Sequence, residues 1–146
     1  MATTLFATTY ARLTGIVLLL TGIVGIASLQ SGFIGLIAPD FLLWDQAHNA
    51  LHIVLGLIAL YVGFAPRPAL SPILYGKAFG VIYVLLAGIG FASPTVLGVG
   101  TTMGLHLETG ENLLHLLVGA VGLLAGFYVI EGDVPTTPAA PAAGTA

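Results

Sequence analysis

Four long runs of hydrophobic residues, separated by short polar or proline-containing breaks, make up most of this sequence. They extend over residues 13–29, 41–64, 79–92 and 113–130. Within each run the hydrophobicity is continuous and does not alternate, which predicts helices rather than the strands of a membrane barrel. The third run reaches the roughly 20 residues that a span requires only if it begins near Tyr75. We therefore predict an all-α protein, an integral membrane four-helix bundle.

The composition is that of a membrane protein. Hydrophobic residues make up 58% of the chain and charged residues 6%, and the mean hydropathy is +1.07, whereas globular domains are about a quarter charged. The net charge of −3 is small and dispersed, so we expect the lipid bilayer and no nucleic acid as a partner. Because the chain has no cysteine, disulfides, iron–sulfur clusters and thiolate metal sites are excluded. Phosphate-binding loops, nucleophile elbows and zinc-protease motifs are also missing, so we predict no enzymatic activity.

One pattern of polar and small residues occurs twice, with every position shifted by the interval that separates His52 from His115. At helical spacing its positions share one face, which carries an acid, an amide and an imidazole followed by a stripe of small residues. The two copies are Asp45, Asn49, His52, Gly56, Ala59, Gly63 and Phe64, then Glu108, Asn112, His115, Gly119, Gly122, Gly126 and Phe127. A second repeated pattern, at a slightly longer interval, relates Tyr10, Arg12 and Gly15 to Tyr75, Lys77 and Gly80. The chain therefore reads as a tandem duplication of a two-helix hairpin.

The duplication predicts how the chain is organised. A four-helix domain covers residues 1–132, with repeats at about 10–65 and 75–130, and a tail at 133–146, rich in proline, alanine and threonine, is expected to be disordered. Because each repeat contains two spans, the hairpins insert in the same direction and are parallel. The first run is alternatively a secretory signal with Gly25-Ile26-Ala27 as its cleavage site. The second repeated pattern argues against this alternative, because it shows that the first and third helices are equivalent members of the duplication.

The basic residues predict the orientation of the protein. Arg12, Arg67 and Lys77 all fall at the amino end or between the second and third helices. The positive-inside rule then places both termini in the cytoplasm.

The repeated histidines are candidates for function, because an ionisable side chain inside a membrane helix is costly. In a square bundle the second and fourth helices are diagonal partners, roughly 11 to 14 Å apart, so His52 and His115 approach each other across the axis. One hypothesis is a haem b held by both imidazoles, or a chlorophyll-type pigment held by one. Small residues beside each histidine would leave space for the macrocycle, and amides would orient the rings. These supporting positions are Gly56, Gly119, Asn49 and Asn112.

Two other ligand hypotheses use the same helices. His48 and His52, and likewise Glu111 and His115, are separated by one helical turn, so converging helices would offer a metal ion three imidazoles and a carboxylate. A proton path is the third hypothesis, with the acids Asp45 and Glu108 and the two repeated histidines as exchange groups.

Helix packing alone is the main interpretation of the repeat, and the ligand-binding hypotheses are its alternatives. Glycine and alanine at every third or fourth position of a membrane helix are typical of close helix contacts, and an amide–imidazole pair can fix the register between helices. The predicted role is then a structural or accessory subunit that packs against itself or a larger membrane complex. The depth of the histidines bears on the choice. If the second helix begins at residue 41, His52 lies near mid-membrane, and if Asp45 is its N-cap, His52 lies within the first two turns.

The segments 49–57 and 112–120 resemble a family of small bacterial four-helix membrane proteins of unknown function, which carry an N-x-x-H-x-x-x-G signature. The resemblance covers about residues 10–130. It implies a membrane protein, which in a bacterium means the inner membrane, and it implies no particular activity.

Overall fold

Four helices and a short two-stranded ladder form the parts of the protein that a computed structural model describes, namely residues 2–31, 46–93, 95–97, 105–106 and 109–128. The elements in chain order are α1 Ala2–Ser31, α2 Gln46–Phe64, α3 Pro72–Ala92, β1 Thr95–Leu97, β2 Leu105–His106 and α4 Thr109–Phe127. All four helices are long and apolar enough to cross a membrane. The predicted fold of four apolar helices is confirmed. The antiparallel β1–β2 pair was not predicted from the sequence.

Two helices begin earlier than the hydrophobic runs indicate. α1 begins at Ala2 instead of residue 13, because threonines at its start do not interrupt a helix that packs along a neighbour. α3 begins at Pro72 instead of residue 79, since Ser71 caps it by accepting a hydrogen bond from the Leu74 nitrogen at 3.1 Å. Proline is favoured at the first helical position, where its missing N–H is no loss. The third run therefore reaches spanning length. The tail at 133–146 lies outside the described residues.

Each hairpin is held together by glycines that let two helix backbones approach. A Cβ atom added to Gly56 would lie 2.7 Å from the Leu19 nitrogen, and one added to Gly119 would lie 2.8 Å from the Val84 nitrogen. These contacts are repeat equivalents, because Leu19 and Val84 are related by the same interval as Tyr10 and Tyr75. The helices α2 and α4 also begin and end at equivalent positions of the repeat. The two hairpins that the duplication predicts, α1–α2 and α3–α4, are therefore present.

The basic residues lie at the same end of both hairpins. The Arg12 Nε atom donates a hydrogen bond of 2.7 Å to the Gly63 carbonyl oxygen, and its guanidinium lies 4.8 Å from the Phe64 ring centre. In the second hairpin the Lys77 Nζ atom lies 4.5 Å from the Phe127 ring centre. Cations are favoured at these helix C-termini, where carbonyl groups lack partners and the helix dipole is negative.

Aromatic side chains pack where the two hairpins meet, mainly between α1 and α3. The rings of Tyr10 and Tyr75 lie 6.1 Å apart, and those of Phe79 and Tyr83 stack at 4.0 Å. The Tyr10 hydroxyl also donates a hydrogen bond of 3.0 Å to the Val118 carbonyl oxygen of α4. These contacts form the core of the bundle, while large hydrophobic side chains on the outer faces of all four helices remain exposed, as contact with a lipid bilayer requires.

Candidate functional site

Three imidazole rings converge near the ends of α2 and α4 that lie opposite the basic residues. His48 and His52 come from α2 and His115 from α4, and one nitrogen of each lies within 4.8 Å of the others. The closest pair is His48 Nε2 and His52 Nε2, 3.0 Å apart. The ring centres of His48 and His115 are separated by 5.9 Å. We call these three residues the histidine cluster.

The starts of the two helices set the depth of the cluster. α2 begins at Gln46 and α4 at Thr109, so His52 and His115 each lie six residues along their helix, about 9 Å from its start. Within the described residues, this matches the later of the two helix starts that the sequence allows. Asp45, the predicted N-cap, lies outside the described residues.

A hydroxyl group orients the His52 ring. The Nδ1 atom of His52 lies 3.3 Å from Thr21 Oγ1, and that hydroxyl lies 3.0 Å from the Leu18 carbonyl oxygen. Because a carbonyl oxygen can only accept, the Thr21 hydrogen points to Leu18 and its oxygen accepts from His52. The proton of neutral His52 is therefore on Nδ1, as assigned from this network. Its Nε2 atom directs a lone pair into the cluster.

A carboxylate lies behind the His48 ring in the same way. The Nδ1 atom of His48 is 3.4 Å from Glu111 Oε1, and both side chains are almost fully buried. A carboxylate attracts the imidazole proton to the nitrogen that faces it. Both Nε2 atoms at 3.0 Å then present lone pairs to each other. Two such atoms repel unless a proton or a cation lies between them.

His115 contributes the third nitrogen. Its Nδ1 atom is buried and has no hydrogen-bond partner in the part of the chain that the structure describes. The edge of the ring packs against Tyr83, with ring centres 5.0 Å apart. A buried polar atom without a partner is uncommon in proteins and requires an explanation such as a bound ion.

The Asn49 amide, which is predicted to orient a ring, does not do so among the described residues. Asn49 and Asn112 are 0% and 2% exposed. The Asn49 amide makes no hydrogen bond to any described residue, and Asn112 packs on Gly90, where an added Cβ would overlap it. Thr21 takes the predicted role for His52. The repeat could not reveal Thr21, because the equivalent residue in the second hairpin is Leu86.

The two glycines that are predicted to leave space for a macrocycle do not leave it. Gly56 and Gly119 lie against the backbones of α1 and α3, so their faces are occupied by helix contacts. A haem held by two axial imidazoles needs a planar gap between them, whereas here the His48 ring lies 3.0 Å from His52 and belongs to the same cluster. The donors instead surround a small volume. Asp45 and Glu108, the two acids of the predicted proton path, lie outside the described residues.

A narrow groove leads from the cluster along the bundle. It has a volume of about 420 Å³ and lies between α1 and α4, and all three histidines and Glu111 line one end of it. Beyond them its walls are almost entirely apolar. The cluster is therefore accessible from the lipid-facing side of the protein.

Comparisons with protein-family models, curated proteins and solved structures find no match to this chain. The class of the protein follows from its fold and site: a four-helix protein with membrane-capable helices and a cluster of three histidines, two of which are buried. The resemblance to the family with the N-x-x-H-x-x-x-G signature stays a prediction.

Proposed function

We propose that this protein is a membrane-embedded binding module for a single divalent transition-metal ion, with His48, His52 and His115 as its ligands. The observation that carries the proposal is the convergence of three imidazole nitrogens on one point, two of them 3.0 Å apart. Metal–nitrogen bonds of about 2.0 to 2.1 Å in a tetrahedral site separate the ligand atoms by about 3.3 Å. The pair formed by His48 and His52 already has about this separation, and His115, whose nitrogen lies within 4.8 Å of theirs, must move closer by up to about 1.5 Å to hold an ion.

The polar atoms around the cluster support a metal ion more than a shared proton. With an ion bound, the Nε2 atoms of His48 and His52 both coordinate it, and their Nδ1 protons go to Glu111 and Thr21. Metal-bound histidines commonly donate their other ring hydrogen to a carboxylate or a hydroxyl group. Without an ion, one of the two rings must take up a second proton on its Nε2 atom, or move its single proton there and lose the hydrogen bond that its Nδ1 atom donates.

Glu111 acts differently in this proposal from the direct ligand that the sequence predicts. Its Oε1 atom faces the far nitrogen of His48, and the residue is 2% exposed within the bundle. There it fixes the orientation of His48 and supplies a negative charge that partly offsets the charge of the ion in surroundings of low dielectric constant. Imidazole ligands suit zinc, copper, iron and nickel, so the donor set defines the class of ion.

In the cell, we place the protein in the inner membrane of a bacterium with both termini in the cytoplasm. Arg12 and Lys77 lie at the opposite end of the bundle from the histidine cluster. The positive-inside rule then puts the cluster near the outer face. The module stores the ion or transfers it to another molecule, and it catalyses no reaction.

The accessory-subunit interpretation loses part of its support. It requires glycine faces that are free to pack against another protein, whereas Gly56, Gly63, Gly119 and Gly126 lie against neighbouring helices of this chain. Exposed aliphatic side chains on the outer faces suit lipid equally well. A partner protein is therefore not needed to explain the glycine stripes.

Metal analysis of the purified protein tests the proposal. Protein taken from its native membrane should contain one transition-metal ion per chain, and stripped protein should bind Co²⁺ with a visible ligand-field spectrum. His48→Ala, His52→Ala and His115→Ala should each abolish stoichiometric binding. Leu51→Ala is the control, since Leu51 lies on the same helix and is 44% exposed.

Two results would count against a metal ion. If the three histidine variants bind Co²⁺ as the parent does, the cluster is not the site. If the native protein is metal-free and has the visible spectrum of a haem or a pigment, a macrocycle is the ligand.

A further inference from the structure

The groove beside the histidine cluster is long and narrow. It follows α1 from Phe6 to Thr21 and α4 from Glu111 to Val121. Fifteen residues of helix measure about 22 Å, and the ten residues on the α4 side measure about 15 Å. An almost entirely apolar groove of this length suits a hydrocarbon chain.

The groove exists because the two repeats differ where α1 and α3 face the bundle axis. In α3 these positions carry Phe79 and Tyr83, whose stacked rings are buried in the core. The equivalent positions in α1 carry Thr14 and Leu18, and both line the groove. The smaller side chains of α1 thus leave a space between α1 and α4. At the equivalent positions of the second repeat, the aromatic rings of α3 occupy that space.

At the polar end of the groove, the three histidines would leave the coordination shell of the metal ion incomplete. Three protein ligands leave one position of a four-coordinate ion open, as in metal sites that bind a further molecule. Glu111 faces the far side of His48 and does not fill that position. His48, His52 and His115 all line one end of the groove. A molecule in the groove can therefore reach the ion.

Charge and depth identify the kind of molecule. Glu111 is the one carboxylate among the described residues, and a divalent ion beside it keeps one positive charge in apolar surroundings, where uncompensated charge is costly. A second carboxylate would neutralise it. The cluster lies about 9 Å inside the start of α2, a helix that is long and apolar enough to cross a membrane, so a ligand must bring its polar head past the end of that helix.

We propose that the groove binds a long-chain, single-chain carboxylate whose head coordinates the metal ion and whose hydrocarbon chain lies between α1 and α4. This inference rests on the metal site proposed above. It predicts a protein that senses or carries a fatty-acid-like amphiphile through its metal ion.

Spectroscopy of the Co²⁺-loaded, full-length protein in phospholipid nanodiscs tests the proposal. Dodecanoate should change the ligand-field spectrum at a concentration at least about ten-fold below acetate, a difference of about 1.4 kcal/mol. Dodecan-1-ol, which has the chain without the charge, should leave the spectrum unchanged. The nanodisc phospholipid is present throughout and sets the baseline.

Variants separate the groove from simple partition of dodecanoate into the bilayer. Thr14→Phe introduces the residue that α3 has at the equivalent position, and Val17→Trp narrows the groove at its edge. Both should keep Co²⁺ binding and weaken the dodecanoate response by about ten-fold or more. Leu20→Trp is the matched control, because Leu20 and Val17 are both 56% exposed and Leu20 does not line the groove.

The outcomes distinguish the two proposals. If the protein binds no Co²⁺, the metal site and the groove ligand both fail. If Co²⁺ binds but dodecanoate acts no better than acetate, or dodecan-1-ol acts equally, the groove proposal is overturned and the metal site stands. The same holds if Val17→Trp and Leu20→Trp respond alike.

Discussion

At the scale of single residues, the cluster depends on the atoms behind the rings as much as on the rings. His52 is oriented by Thr21 of α1, and His48 by Glu111 of α4. The site is therefore assembled from three helices. Its ligands lie on α2 and α4, but α1 decides which nitrogen of His52 is presented to the ion. Such supporting contacts typically change metal affinity by about 10- to 100-fold.

The Thr21 hydroxyl gives a test at this scale. Thr21→Val removes the oxygen while keeping the branched shape, so His52 loses the acceptor for its Nδ1 proton, and the affinity for Co²⁺ should fall about ten-fold. Thr21→Ser keeps the oxygen and should bind as the parent does. Calorimetric titration in nanodiscs measures both. Equal affinities in the two variants would show that Thr21 does not orient the ring.

At the scale of elements, the sequence predicts the helices better than their ends. Continuous hydrophobicity locates all four helices, and the repeat predicts their pairing into hairpins. The starts differ because local capping, as by Ser71 before Pro72, extends a helix beyond its hydrophobic run. The histidines could be predicted as a group from their spacing. Thr21 and the groove could not, since both arise where the repeats differ, and no pattern in one copy reveals them.

The glycines of the hairpins give a test at the scale of elements. Gly56→Leu and Gly119→Leu place a side chain where even a Cβ would lie 2.7 or 2.8 Å from the facing backbone, so each should destabilise the protein by at least about 1 to 3 kcal/mol. Gly88→Leu is the control, because a Cβ there meets no atom within 4 Å. Thermal unfolding in detergent compares them. A Gly88 variant that melts as low as the others would point to general helix effects rather than packing.

At the scale of the whole molecule, the duplication has produced two similar hairpins and one asymmetric interior. Equivalent glycines, aromatic rings and cations occur in both halves. The positions that face the axis have diverged, with His48 in one repeat equivalent to Glu111 in the other, and Thr14 equivalent to Phe79. A symmetric pair of hairpins would offer two half-sites. The divergence concentrates ligands, carboxylate and groove in a single place.

The orientation of the molecule can be measured directly, because the chain has no cysteine. Thr109, at the start of α4 on the side of the histidine cluster, and Ala69, in the loop beside Arg67, are both exposed. The positive-inside rule predicts that a membrane-impermeant maleimide added to intact cells labels Thr109→Cys and leaves Ala69→Cys unlabelled until the membrane is permeabilised. Protein without cysteine is the background control. The reverse labelling pattern would put the cluster at the cytoplasmic face, where an ion would enter from the cell interior.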